Sequence, residues 1–177
     1  MSKPDTDHAR DQARAQISSV VEYVAALECD YDRLQELRDA LADSAAHGGT
    51  AAWASANPED ADELAALETA AGECTNEDDA RQRIHDDPLS VEVRADWHNV
   101  GENPEPSEFC ILLCTGGPAV RIVGDLDENK EPSRARIEYQ DWGTPWTELV
   151  DMSSDATTGA DARDALLTYC RAFYFGD

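Results

Sequence analysis

Two periodicities divide the chain. From Arg10 to Ala46 there is no proline or glycine, and Ala, Leu, Gln, Glu and Arg dominate, residues that lose little freedom on entering a helix. Ile17, Val20, Val24, Leu27, Tyr31, Leu34 and Leu41 recur on alternating steps of three and four, interrupted at Arg38, with Leu37 beside the gap. That pattern predicts one long helix with a coiled-coil-type seam. The seam would either hold a homodimer or pack on the chain's own next helix. His47-Gly48-Gly49 is expected to close it, glycine being the usual residue for a left-handed C-terminal turn.

Asn57-Pro58-Glu59-Asp60 predicts a second helix start, with Asn accepting from free amides and proline at the first helical position. That helix should run to about Ala71, and a third, short one should open on Thr75 with Asp78 as a capping box and stop at Asp87-Pro88. At Leu89 the period becomes two. Leu89, Val91 and Val93 alternate with Ser90, Glu92 and Arg94 as a half-buried strand requires. Phe109–Cys114, Val120–Leu126 and a run alternating Ala135, Ile137 and Tyr139 with Arg134, Arg136 and Glu138 add three more strands, joined by Gly116-Gly117-Pro118 and by Asp127–Lys130. Thr158 and Asp161 repeat the capping pattern before an amphipathic stretch of Ala162, Leu166, Leu167, Cys170 and Phe173. The order implies an α+β fold: a long N-terminal helix and two short helices, then a four-stranded antiparallel meander covered by a C-terminal helix. A division into a helical region (1–88) and a sheet region (89–177), or one continuous domain, is expected.

Charge changes the picture most. The 14 Lys and Arg stand against 38 Asp and Glu, a formal net charge of -24, in a chain of 177 residues. Such a chain repels DNA phosphates and anionic lipid alike, so neither bare nucleic acid nor a membrane is an expected partner. No apolar run approaches membrane-spanning length and the N-terminus lacks an apolar signal region. Five scattered cysteines, an odd number, do not form a disulfide framework, and a cytoplasmic location is expected. Asp32, Glu36, Asp39 and Asp43 step by four, three and four, which lines them along one helix face, opposite the leucine seam and with Cβ atoms about 5–6 Å apart. A carboxylate row of this kind can stand in for phosphates in a Lys- and Arg-lined groove. Glu59, Asp60, Asp62 and Glu63 form a second acidic cluster. The same lysine-poor bias, with only Lys3 and Lys130, also arises in proteins adapted to molar salt.

Candidate chemistry is sparse. His8, His47, His85 and His98 share no metal-ligand spacing, and Cys110-x-x-x-Cys114 would place two thiols on one strand face without a second pair. An enzyme could be assembled from Cys114 as nucleophile, His98 as base and Asp96 as orienting group, with Gly116 and Gly117 donating amides. No P-loop or dinucleotide-binding glycine motif is present. Neither metal nor cofactor is called for. Trp142-Gly-Thr-Pro-Trp146 puts two indoles in an irregular segment; Trp142, continuing the strand from Tyr139, is expected in the core, and Trp146 at an interface.

Pro88-Leu-Ser-Val-Glu-Val-Arg94 with Trp97, Ile111–Asp125, Tyr139-Gln-Asp-Trp142 and the ending Tyr169–Asp177 resemble small acidic proteins encoded on proteobacterial phages, plasmids and integrative elements. The resemblance covers the C-terminal half and implies anti-defence work against restriction or CRISPR systems. The expectation is therefore a non-enzymatic, DNA-mimic-type inhibitor of a DNA- or RNA-binding protein or nuclease complex, touching it through Asp32, Glu36, Asp39, Asp43, Glu59, Asp60, Asp62, Glu63 and Trp146. The alternatives are a small enzyme using the Cys114 region and a salt-adapted acidic interaction domain without mimicry.

Overall fold

The computed structural model describes residues 6–45, 49–153 and 159–176. The expected closure at His47-Gly48 and the cap at Thr158 lie outside the described residues. Within them the chain is α+β, with six helices and a five-stranded antiparallel sheet. The helices are α1 (Asp7–Leu27), α2 (Tyr31–Ala45), α3 (Thr50–Ala56), α4 (Pro58–Ala71), α5 (Glu77–Asp86) and α6 (Gly159–Arg171). The strands are β1 (Ser90–Arg94), β2 (Glu108–Cys114), β3 (Ala119–Leu126), β4 (Pro132–Gln140) and β5 (Thr147–Glu148), and their order in the sheet is their order in the chain.

The single long helix is instead two. Asp30 ends the continuity: its carboxylate accepts from Arg33 N–H at 2.9 Å and its carbonyl from Leu34 N–H at 2.9 Å, so it serves as the N-cap of α2. Tyr31 Oη donates back to the Ala26 carbonyl at 2.9 Å, which holds the corner. The seam is divided by this corner, and Ile17, Val20, Val24, Leu34 and Leu37 are all buried within the single chain. Leu27, Tyr31 and Leu41 of the seam are half-buried, and Tyr31 and Leu41 pack against the cluster of Leu34, Leu37, Trp53, Leu64 and Ala71.

Two further starts differ in detail from expectation. α4 begins at Pro58, but the Asn57 side chain accepts nothing from it; its amide donates to the Trp53 carbonyl at 3.0 Å and closes α3. α5 is capped one residue later than predicted. Asn76 Oδ1 accepts from Asp79 N–H at 2.8 Å, and the Asp79 carboxylate accepts in turn from Thr75 N–H, one residue before the cap, at 3.1 Å.

Contacts divide the chain into two units, Met1–Val21 with Arg83–Asp177 and Glu22–Gln82, so the division falls inside α1 and α5 and not at residue 88. In the first unit burial alternates along β2 and β3, while in β4 Ile137, Glu138 and Tyr139 are buried in succession. Phe109, Ile111 and Leu113 of β2, Val120 and Ile122 of β3, and Ile137 and Tyr139 of β4 are buried, and α6 packs on β4. Gly124 has to be glycine, because a Cβ there would lie 1.9 Å from the Arg134 carbonyl oxygen and 2.5 Å from the Phe109 ring. Tyr169 of α6 donates to Asp87 at 2.6 Å, and Arg14 of α1 approaches Asp151 at 3.5 Å. The second unit is helical. Leu34, Leu37, Trp53, Leu64 and Ala71 form one cluster, and Ala26, Cys74 and Ala80 a smaller one.

Candidate partner-binding surfaces

α2 is short enough for its two faces to be told apart residue by residue. Leu34 and Leu37 are buried and Leu41 half-buried; the opposite side of the cylinder carries Asp32, Glu36, Asp39 and Asp43, all exposed. At a rise of about 1.5 Å per residue the row is about 16 Å long. Asp39 accepts from Gln35 Nε2 at 2.7 Å, and Glu36 is a loose 3.5 Å from Arg33. The unit that carries the row is also the more acidic one. Glu22–Gln82 holds 16 acidic and 3 basic side chains, a net -13, against a net -11 for the longer unit.

The second predicted cluster splits. Asp60 and Glu63 on α4 turn toward α2 and clamp Arg33, at 2.9 Å from Nη2 to Asp60 and 2.7 Å to Glu63. The Arg33 hydrogen bond holds the Glu63 carboxyl below the usual carboxylate range. Arg38 makes the same kind of link to Glu68 at 3.3 Å. These pairs join α2 to α4 and are spent on the fold, whereas Glu59 and Asp62 are exposed on other faces of α4.

The burial of the two tryptophans differs from expectation at Trp142. Trp146 is half-buried on the sheet, with the Arg121 guanidinium 4.1 Å above its ring. Arg121 in turn donates through Nε and Nη2 to Glu138 Oε2 at 2.9 and 2.8 Å, and Arg136 Nε donates to Glu138 Oε1 at 2.9 Å. Glu138 is only 8 % exposed. Burial by itself would raise its pKa, but the hydrogen bonds from two guanidiniums outweigh that and hold the carboxyl below its ordinary value. Trp142, expected in the core, is 78 % exposed. The turn Asp141–Thr144, with Gly143 at φ +73°, carries the strand direction away, and the indole rests on Gly117, where a Cβ would come within 2.1 Å of the ring.

The catalytic alternative does not assemble. Arg94 lies opposite Glu108 and Ser90 opposite Leu112, so Asp96 and His98 follow β1 past the Glu108 end of β2 while Cys114 sits at the other. Six residues of strand separate those ends by about 20 Å. Cys110 and Cys114 share the less buried face of β2, but four residues put them about 13 Å apart, too far for one zinc ion. Burial raises both thiols, so neither is an activated nucleophile. Among the described residues no group of three or more His, Cys, Asp or Glu could hold a metal, and no helix is long and apolar enough to cross a membrane.

One surface was not legible in the sequence. β1 has the predicted alternation, yet Leu89, Val91 and Val93 are exposed instead of half-buried, and Trp97 and Val100 after them are fully exposed. Alternation tells which side chains share a face; it carries no information about whether another element covers that face. Comparison with protein-family models, with curated proteins and with solved structures returns no match to this chain.

Proposed function

We propose that this chain is a non-enzymatic binding protein that presents carboxylates in place of nucleic-acid phosphates to the basic, nucleic-acid-binding surface of another protein. The observation that carries this reading is the exposed row Asp32, Glu36, Asp39 and Asp43 on the outer face of α2, in a unit with a net charge of -13. A groove lined with Lys and Arg attracts any rigid polyanion by the same field, and a folded helix enters without the cost of bending DNA. Glu59 and Asp62 extend the acidic surface, while Asp60 and Glu63 serve through Arg33 to fix α4 against α2. The resemblance of the C-terminal half to acidic proteins of phages, plasmids and integrative elements directs the choice of partner to a defence complex, a restriction enzyme or CRISPR effector.

The test is competition. A fluorescent duplex bound to a purified restriction or CRISPR surveillance complex is titrated with the chain and followed by anisotropy. Displacement is expected at low salt, weakening about tenfold or more between 0.1 and 0.4 M NaCl as counterions screen the contact. Replacing the row by Asp32→Asn, Glu36→Gln, Asp39→Asn and Asp43→Asn together should abolish it. Displacement indifferent both to salt and to these four substitutions would sink the mimic reading.

A further inference from the structure

Five of the eight large hydrophobic side chains left exposed among the described residues fall within residues 89–100. Leu89, Val91 and Val93 are 60 %, 40 % and 46 % exposed, and Trp97 and Val100 are fully exposed. Apolar side chains scattered singly over a surface need no explanation, but this run, with Val91 and Val93 on β1, Leu89 just before it and Trp97 and Val100 in the loop after it, marks an interaction site. Val91 and Val93 lie on an edge strand: among the described residues β1 pairs with β2 alone, so the other side of its backbone has N–H and C=O groups with no strand partner there. Natural sheets protect such edges by shortness, proline or bulges. The opposite edge, β5, is two residues long and begins two residues after Pro145. β1 has five residues, no proline and an unbroken register with β2.

We infer that β1 is the interface for a second copy of this chain, the two strands pairing antiparallel about a two-fold axis to give one ten-stranded sheet. The strand is complementary to itself. Centred on Val93, the pairing sets each Glu92 opposite the other copy's Arg94 and Val93 opposite Val93, so two opposite-charge pairs flank an apolar centre. Centred on Glu92 it would oppose two carboxylates, which selects against that register. Val91 and Val93 lie opposite Ile111 and Phe109 of β2, so a second strand continues the apolar face of the sheet past its present rim. Arg94 already pairs with Glu108, Nε to Oε2 at 2.6 Å, and a guanidinium has donors enough for a second carboxylate. Residues 89–100 hold Glu92, Asp96 and Arg94, a net -1 in a chain of net charge -24, so like-charge repulsion between two copies is weak at this edge.

The mass of the full chain, measured by sedimentation velocity over about 1–100 µM and 0.05–0.5 M NaCl, tests this. A reversible dimer is expected that tightens as salt screens the two net charges, the opposite salt dependence to the partner binding proposed above. Val93→Lys, an exposed site on the two-fold, should weaken association about tenfold or more by opposing two ammonium groups in the ladder. Val150→Lys, at another exposed valine, should leave it unchanged. Glu92→Arg should break the dimer, and Glu92→Arg with Arg94→Glu should restore it. A monomer at every concentration and salt, a dimer indifferent to Val93→Lys, or equal loss in Val150→Lys would overturn the assignment. Circular dichroism of each variant confirms that it folds.

Discussion

Glu138 is the residue on which the exposed face of the sheet turns. Its carboxylate satisfies two guanidiniums, and one of these, Arg121, also lies over Trp146. In Glu138→Gln the amide offers one neutral acceptor where two charged acceptors stood, so a loss of about 1–3 kcal/mol in unfolding free energy is expected. Thermal unfolding monitored by Trp fluorescence would detect it. Because the folded pKa of Glu138 is depressed, its contribution is complete above the unfolded value of about 4.3 and is lost as pH falls through the folded value. This arrangement could not be read from the sequence. Arg136 and Glu138 share a face two residues apart in any half-wet strand, but the second guanidinium, Arg121, reaches Glu138 only through the pairing of β3 with β4. The tryptophans make the same point: two indoles four residues apart are chemically alike, and the turn at Asp141–Thr144 decides which is covered.

At the level of elements, helices were legible wherever their ends carry their own signals. α4 spans Pro58–Ala71 as its proline and following glycine predict. The corner between α1 and α2 was missed because helix propensity is high on both sides of it, and the decisive feature is one side chain, Asp30, choosing to cap. Asp30→Ala removes the 2.9 Å bond to Arg33 N–H and is expected to cost about 1 kcal/mol, measurable as a lower denaturation midpoint at unchanged slope. No such loss would mean that the corner is held by Tyr31 alone. That hydroxyl, hydrogen-bonded to Ala26, has its pKa pushed up to about 12, by burial first and by the nearby Cys74, Cys29 and Asp79 after it. β5 was missed for the opposite reason. Two residues contain no period, and Thr147 and Glu148 become a strand only by lying beside Tyr139 and Glu138.

Over the whole molecule, charge opposes folding. At a net -24 the folded chain repels itself, and screening should raise its melting temperature between low salt and about 0.5 M NaCl. A chain that unfolds outright in low salt would favour the salt-adapted reading over mimicry. Acid acts in two directions. Protonating exposed carboxylates relieves repulsion as pH falls from neutrality, while Glu63, Asp79, Glu102, Glu105, Glu138 and Asp151 all have depressed pKa values. Groups of that kind add stability above their unfolded pKa and withdraw it as pH drops through the folded one. Stability is therefore expected to peak at about pH 5 and to fall steeply below about pH 4. A melting temperature that rises steadily down to pH 3 would show that self-repulsion outweighs every pair named here.

The sequence by itself determined the α+β class, the strand alternation, the acidity and the face of α2 on which its carboxylates lie, because each follows from local spacing along one element. Tertiary structure alone decided which acids are spent on Arg33 and Arg38, which tryptophan is covered, that Cys114 and His98 stand at opposite ends of a strand, and that β1 is an uncovered edge. Each of these depends on what lies across from a residue and not beside it. Spacing along the chain cannot report a neighbour thirty residues away, or the absence of one.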